Sequence, residues 1–161
     1  MLKKYIKIID LVKEYNALKC HDSRHVDVKR LHKIESAVTA NRYDYLVMEY
    51  YDSINVCSDI CAQLDTIDAA LQTTIRIKWT DSDLDDEEEM TVDGFMAKVI
   101  GMLSSYENPK SEPSLQHLYD IVYANRYYEL LLGDIDLKEA YHEALQARER
   151  LYKNVMKCVL F

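Results

Sequence analysis

Four stretches carry residue types whose spacing could do chemistry. The run Asp81-Ser82-Asp83-Leu84-Asp85-Asp86-Glu87-Glu88-Glu89 holds seven acids in nine residues. Asp81, Asp83 and Asp85 alternate as oxygen ligands do in a helix–loop–helix calcium site. That loop needs Gly for its sharp turn and a bidentate Glu at its end. Asp86 and Val92 stand there instead, so calcium is not assigned. Seven like charges repel one another and keep water around them. They can also meet a basic surface, and Asp81, Asp83, Asp85, Asp86, Glu87, Glu88 and Glu89 are candidates for contacting one.

Glu139-Ala140-Tyr141-His142 has the i, i+3 Glu/His spacing of carboxylate-bridged di-iron bundles, but the second such pair is missing. His21 and His25 flank Cys20 and Asp22 in a polar stretch that could close on zinc or simply cap helices. Cys57 and Cys61 are one helical turn apart, a spacing that suits a soft metal or two core thiols. No Gly-rich phosphate loop or Gly-x-Ser-x-Gly elbow occurs. No catalytic, cofactor or metal site is therefore assigned.

The stretch Cys158-Val159-Leu160-Phe161 has the form of a prenylation box, with Cys158 as the acceptor. Lys153 and Lys157 are a thin second signal beside it, and Val155, Val159 and Leu160 can equally continue an apolar helix stripe. Thirteen tyrosines stand against two phenylalanines. A Tyr side chain combines an apolar body with a polar tip and is common at interfaces. Tyr43, Tyr50, Tyr127 and Tyr128 are candidate contact residues, with Tyr45, Tyr51 and Tyr123 close by.

These tyrosines surround a repeat. Ala40-Asn41-Arg42-Tyr43 returns as Ala124-Asn125-Arg126-Tyr127, 84 residues later. Leu31, Val38, Leu46 and Asp52 match Leu115, Val122, Leu130 and Asp136 at the same offset, as if one unit were used twice. In the second copy a helix is expected from a cap at Ser114 to an end at Gly133. Asp136-Leu137-Lys138-Glu139 has capping-box spacing for the next helix, which runs through Leu145 and Val155 to Val159. The first copy then reads as a helix over 27–51, a turn at Asp52-Ser53, and a helix over 54–71. Gly133 to Asp136, followed by Ala140, Tyr141, Ala144 and Leu145, resembles the helical hairpin of tetratricopeptide repeats. The 34-residue period of that family is absent, and no family is assigned.

Elsewhere, Leu2, Tyr5, Ile6, Ile9, Val12 and Tyr15 predict a first helix over 2–18. Ile75, Ile77 and Trp79 alternate with polar residues, which predicts a strand or an extended linker. Glu89 to Val92 could pair with it. Asp93 is the expected cap of a helix with Phe95, Val99, Met102, Leu103 and Tyr106 inward.

Three Gly and two Pro in 161 residues are too few for a sandwich or barrel. The expectation is an all-α helical bundle of five to seven helices in one domain. Its sub-units are 1–72 and 93–161, joined by an acidic connector over 73–92 that is irregular or β-like, and an internally duplicated three-helix unit is an option. The net charge is −8, and no basic patch interleaves with aromatics, so direct nucleic-acid binding is not expected. No signal-like segment opens the chain, no run has the length of a membrane span, and four cysteines suit a reducing cytoplasm.

The expected function is non-enzymatic: a regulator, inhibitor or antagonist that binds another protein through an acidic, Tyr-rich surface. That partner would carry a basic surface, and a second copy of the chain is the other candidate. A membrane enters only if Cys158 carries a lipid. A metal-binding helical protein is the remaining alternative.

Overall fold

The structure is a computed structural model that describes residues 3–20, 26–79, 87–105 and 113–161. The described residues form six helices and four short strands. In order these are β1 (Tyr5–Lys7), α1 (Ile8–Cys20), α2 (Val28–Asn41), α3 (Tyr43–Leu71), β2 (Thr74–Lys78), β3 (Glu87–Thr91), α4 (Val92–Ser104), α5 (Pro113–Asn125), α6 (Tyr127–Val155) and β4 (Cys158–Leu160). Among the described residues no helix is long and apolar enough to cross a membrane. The chain divides into two units. Unit 1 is Met1–Asp59 with Tyr141–Phe161, and unit 2 is Ile60–Ala140. These are not the stretches 1–72 and 93–161, because the boundaries fall inside α3 and α6.

In unit 1, β1 and β4 pair antiparallel with Ile6 opposite Val159. Ile8, Leu11, Val12 and Tyr15 of α1 recur at i, i+3, i+4 and i+7, the spacing of one helix face. That face packs on Ile34 and Val38 of α2, Val47 of α3 and Val155 of α6. Asp27 starts α2 by accepting a hydrogen bond from the Arg30 amide at 3.1 Å. Leu11, Ile34, Val38 and Val155 are fully buried. Each contributes about 1.5–3 kcal/mol of hydrophobic free energy.

Unit 2 repeats this scheme. Strands β2 and β3 pair antiparallel, with Ile75 opposite Met90 and Thr74 opposite Thr91. Val92, Phe95, Met96 and Val99 of α4 form the inward face, against Leu115, Leu118 and Val122 of α5 and Leu71 of α3. Trp79 and Tyr127 lie against the Phe95 ring at 5.8 and 6.1 Å between centroids.

The correspondence holds residue by residue at the 84-residue offset. Helices α1 and α4 match in length and position, as do α3 and α6. Ile8, Leu11, Val12, Ile34 and Val38 answer to Val92, Phe95, Met96, Leu118 and Val122. The Ile8 amide donates to the Lys157 carbonyl as the Val92 amide donates to that of Thr73, both at 3.0 Å. Each unit therefore takes a strand, two short helices and the start of a long helix from one half of the sequence. The rest of a long helix and the second strand come from the other half.

Several expected boundaries move. The breaks fall inside the repeated tetrapeptide, at Arg42 and Arg126, which adopt left-handed φ values of 54° and 55°. The expected turn at Asp52-Ser53 and the end at Gly133 are overturned, because α3 and α6 run through both. A Cβ on Gly133 would lie 3.3 Å from the Ile67 Cδ1 methyl, a tight contact with the end of a side chain that can shift. Asp136 is accordingly within α6 and caps nothing, and no hairpin of the tetratricopeptide kind forms there. Ser114 lies within α5, which starts at Pro113.

Thr91, not Asp93, caps α4, accepting from the Gly94 amide through Oγ1 at 3.0 Å. Tyr5 and Ile6 belong to β1 rather than to the first helix. Val159 belongs to β4 rather than to the last one, because these segments satisfy their backbone groups on each other. Met102 is exposed, and Leu2 and Tyr106 lie outside the described residues.

Candidate functional site

Of the acidic run, Asp81, Asp83, Asp85 and Asp86 lie outside the described residues. Glu87, Glu88 and Glu89 form most of β3. Glu88 accepts from the Trp79 indole at 2.8 Å and from Lys98 Nζ at 3.0 Å. The Lys98 and Trp79 hydrogen bonds hold its carboxyl below the usual glutamate range. Glu89 pairs with Arg76 at 2.8 Å. Glu88 and Glu89 are thus already partnered within unit 2.

The chosen tyrosines separate into two kinds. Tyr43 and Tyr127, at equivalent positions, pack against the two cores. Tyr50 is half-buried, with its ring 5.7 Å from that of Tyr51 and 5.9 Å from that of Tyr152. Tyr128 is exposed and borders an apolar cleft of about 340 Å³ with Ile100 and Tyr123. His21 and His25 are outside the described residues. His142 contacts Gln146 at 3.1 Å, Cys57 is buried, and all four cysteines are unpaired. Among the described residues no group of three or more His, Cys, Asp or Glu is placed to hold a metal. Cys158 is exposed in β4, and the neighbouring Phe161 exchanges two backbone hydrogen bonds with Lys4, each 3.0 Å.

The structure assembles a surface that the sequence reading did not select. Tyr45, Met48 and Tyr51 recur at i, i+3 and i+6 along α3 and are 51%, 52% and 44% exposed. They border a groove of about 480 Å³ in unit 1 whose floor includes Val12 and Val47. Asp44 and Asp52 line the same groove. Asp44, Met48 and Asp52 follow at i, i+4 and i+8, so they stack along one face of α3. The Asp44 Oδ1 atom is buried, and no hydrogen-bond donor among the described residues reaches it. The Arg42 guanidinium stacks on the Tyr45 ring instead, 4.8 Å from its centroid. The available signal was the Tyr-x-x-Met-x-x-Tyr spacing itself. It was hidden because apolar residues surround α3 on most sides between Tyr43 and Tyr51.

A second feature absent from the linear reading is cationic. Lys4, Lys29, Arg30 and Lys33, together with Glu14 and Asp27, line a cleft of about 630 Å³ beside Phe161. Lys33 Nζ sits 4.6 Å from the Phe161 ring centroid. Arg30 is committed to Glu14 at 2.5 Å, a contact that raises its already high pKa.

Comparison of the chain with protein-family models, with curated proteins and with solved structures finds no match.

Proposed function

We propose that the chain is a non-enzymatic protein-binding module, of the regulator or inhibitor kind, working in the cytoplasm. The observation that carries this reading is the half-exposed Tyr45, Met48 and Tyr51 stripe over its groove. Apolar side chains gathered in one exposed row cost hydration free energy that a partner recovers on binding. Aromatic and Met residues are the types enriched where partners bury surface. The net charge of −8 favours a basic partner and disfavours nucleic acid. Four unpaired cysteines support a reducing compartment. The matched elements and core positions support the view that the two halves arose as one duplicated unit.

The test is capture from source-cell lysate with reversible cross-linking, using the wild-type chain beside a Tyr45→Ser, Met48→Ser, Tyr51→Ser variant. The reading expects a discrete partner held by the first and lost by the second, with both proteins equally folded by circular dichroism. A partner set indifferent to the triple change, or none at all, would refute it. Reversing the charge of Asp85 to Glu89 tests in parallel whether the acidic run contributes.

A further inference from the structure

Resting on that reading, we infer that the α3 groove of unit 1 takes a cationic amphipathic helix whose basic residues lie two turns apart. The groove carries apolar and aromatic side chains, with Asn16, between two acidic ends. Val12 and Val47 form the floor, Tyr45, Met48 and Tyr51 the rim, and Asp44 and Asp52 the two ends. Eight residues of helix separate these carboxylates, which is about 12 Å at 1.5 Å per residue. A partner helix lying along α3 matches that span with Lys or Arg seven or eight residues apart. Its apolar residues at the intervening i+3 and i+4 positions then face Met48 and Tyr51.

Charge complementarity decides the occupant. A buried carboxylate oxygen without a donor is costly, and Asp44 Oδ1 is one among the described residues. An incoming ammonium or guanidinium can pair with the Asp44 and Asp52 carboxylates where these residues line the groove. The equivalent place in unit 2 shows the contrast. There Asp44 is replaced by Tyr128 and Asn16 by Ile100, while Tyr45 answers to Glu129, Met48 to Leu132 and Asp52 to Asp136. The two halves thus differ at the Asp44 end, where unit 1 has a carboxylate and unit 2 a tyrosine.

The probe is a fluorescein-labelled Lys/Leu helical peptide of about 18 residues. It carries Lys seven residues apart on either side of a Leu face. A Glu-for-Lys version and a scrambled version of the same composition serve as controls. Binding to the full chain is read by fluorescence anisotropy, and its place by the methionine methyl resonances. The expected dissociation constant is about 1–100 µM, with the Met48 methyl shifted and the Glu version at least about ten-fold weaker.

Asp44→Asn and Asp52→Asn should each weaken binding roughly five- to ten-fold. Asp52 is exposed, so its variant reports on the groove without burdening the fold. Peptide binding that shifts the Met96 or Met102 methyl and ignores both Asp variants would overturn this assignment while leaving the broader reading standing. Absence of binding to the Lys/Leu peptide would also overturn it. Self-association of the chain that Met48→Asp abolishes would give the groove to a second copy instead. Loss of partner capture in the triple-Ser experiment is the separate test of the broader reading.

Discussion

Gly133→Ala adds one methyl inside α6, and its sign distinguishes two accounts of that residue. In a helix interior Ala is favoured over Gly by about 0.8–1.0 kcal/mol. Against this, the new Cβ would lie 3.3 Å from Ile67 Cδ1. That neighbour is the end of a half-buried side chain in unit 2. A shift of a few tenths of an ångström, or a mild rotamer distortion of about 0.5 kcal/mol, relieves the contact. The net expectation is a gain of about 0.5 kcal/mol. Had Gly133 ended a helix in the left-handed region, the same change would cost about 1–2 kcal/mol.

Urea unfolding followed at 222 nm resolves the difference. With a slope of about 1–3 kcal/mol/M, the gain moves the midpoint upward by about 0.2–0.5 M. Gly101→Ala is the control, because nothing lies within 4 Å of its added Cβ. It should gain most of the full propensity difference, about 0.8 kcal/mol. In an Ile67→Val background, where the contacting methyl is gone, Gly133→Ala should approach that value. A loss of about 1 kcal/mol or more in that background would refute the placement of Gly133 within a continuous helix.

Three further outcomes are expected. Phe95→Ala and Leu11→Ala remove equivalent, fully buried side chains of the two cores, and should cost about 3–5 and 2–5 kcal/mol in urea unfolding. Arg126→Gly should hold stability or gain up to about 1 kcal/mol, because the left-handed conformation at φ 55° suits Gly. Arg126→Val should lose about 1–2 kcal/mol by the same assay, since a β-branched residue resists that region.

The lowered Glu88 pKa gives a signed pH effect. The stability contributed by a depressed carboxyl is present above its unfolded pKa and lost as pH falls through the folded one. Between about pH 5 and the lowered folded value the wild type should therefore lose more stability than Glu88→Gln. Urea midpoints across that window check it.

The helical class was legible because Gly and Pro are so scarce, and the β2–β3 pairing because Ile75 and Ile77 alternate with polar residues. The breaks at Arg42 and Arg126 were not legible. A left-handed Arg has no compositional mark, whereas Gly133 and Asp136 carry strong local stop and start signals that packing overrides. Nor was the β1–β4 pair, since two three-residue strands at opposite ends of the sequence leave no local period to read. At the candidate site the surplus of tyrosine was visible, but its sorting was not. Tyr43 and Tyr51 look alike in sequence, and only the rotation of α3 sends one to the core and the other to the groove.

The composition of the units sets an order in time. Unit 2 is one continuous stretch, so it has every strand and helix segment once Ala140 has been made. Unit 1 begins first and closes last, because Val155 and β4 are supplied by Tyr141–Phe161. At ribosomal rates of about 5–20 residues per second, the stretch between its two segments takes about 4–16 s to synthesise. Throughout that interval β1 has no partner strand, and the apolar faces of α1 and α2 lack the residue that completes their core. A nascent chain of this protein therefore presents an open strand edge and an apolar face for seconds, a window in which chaperone capture or pairing with a neighbouring nascent chain competes with self-closure.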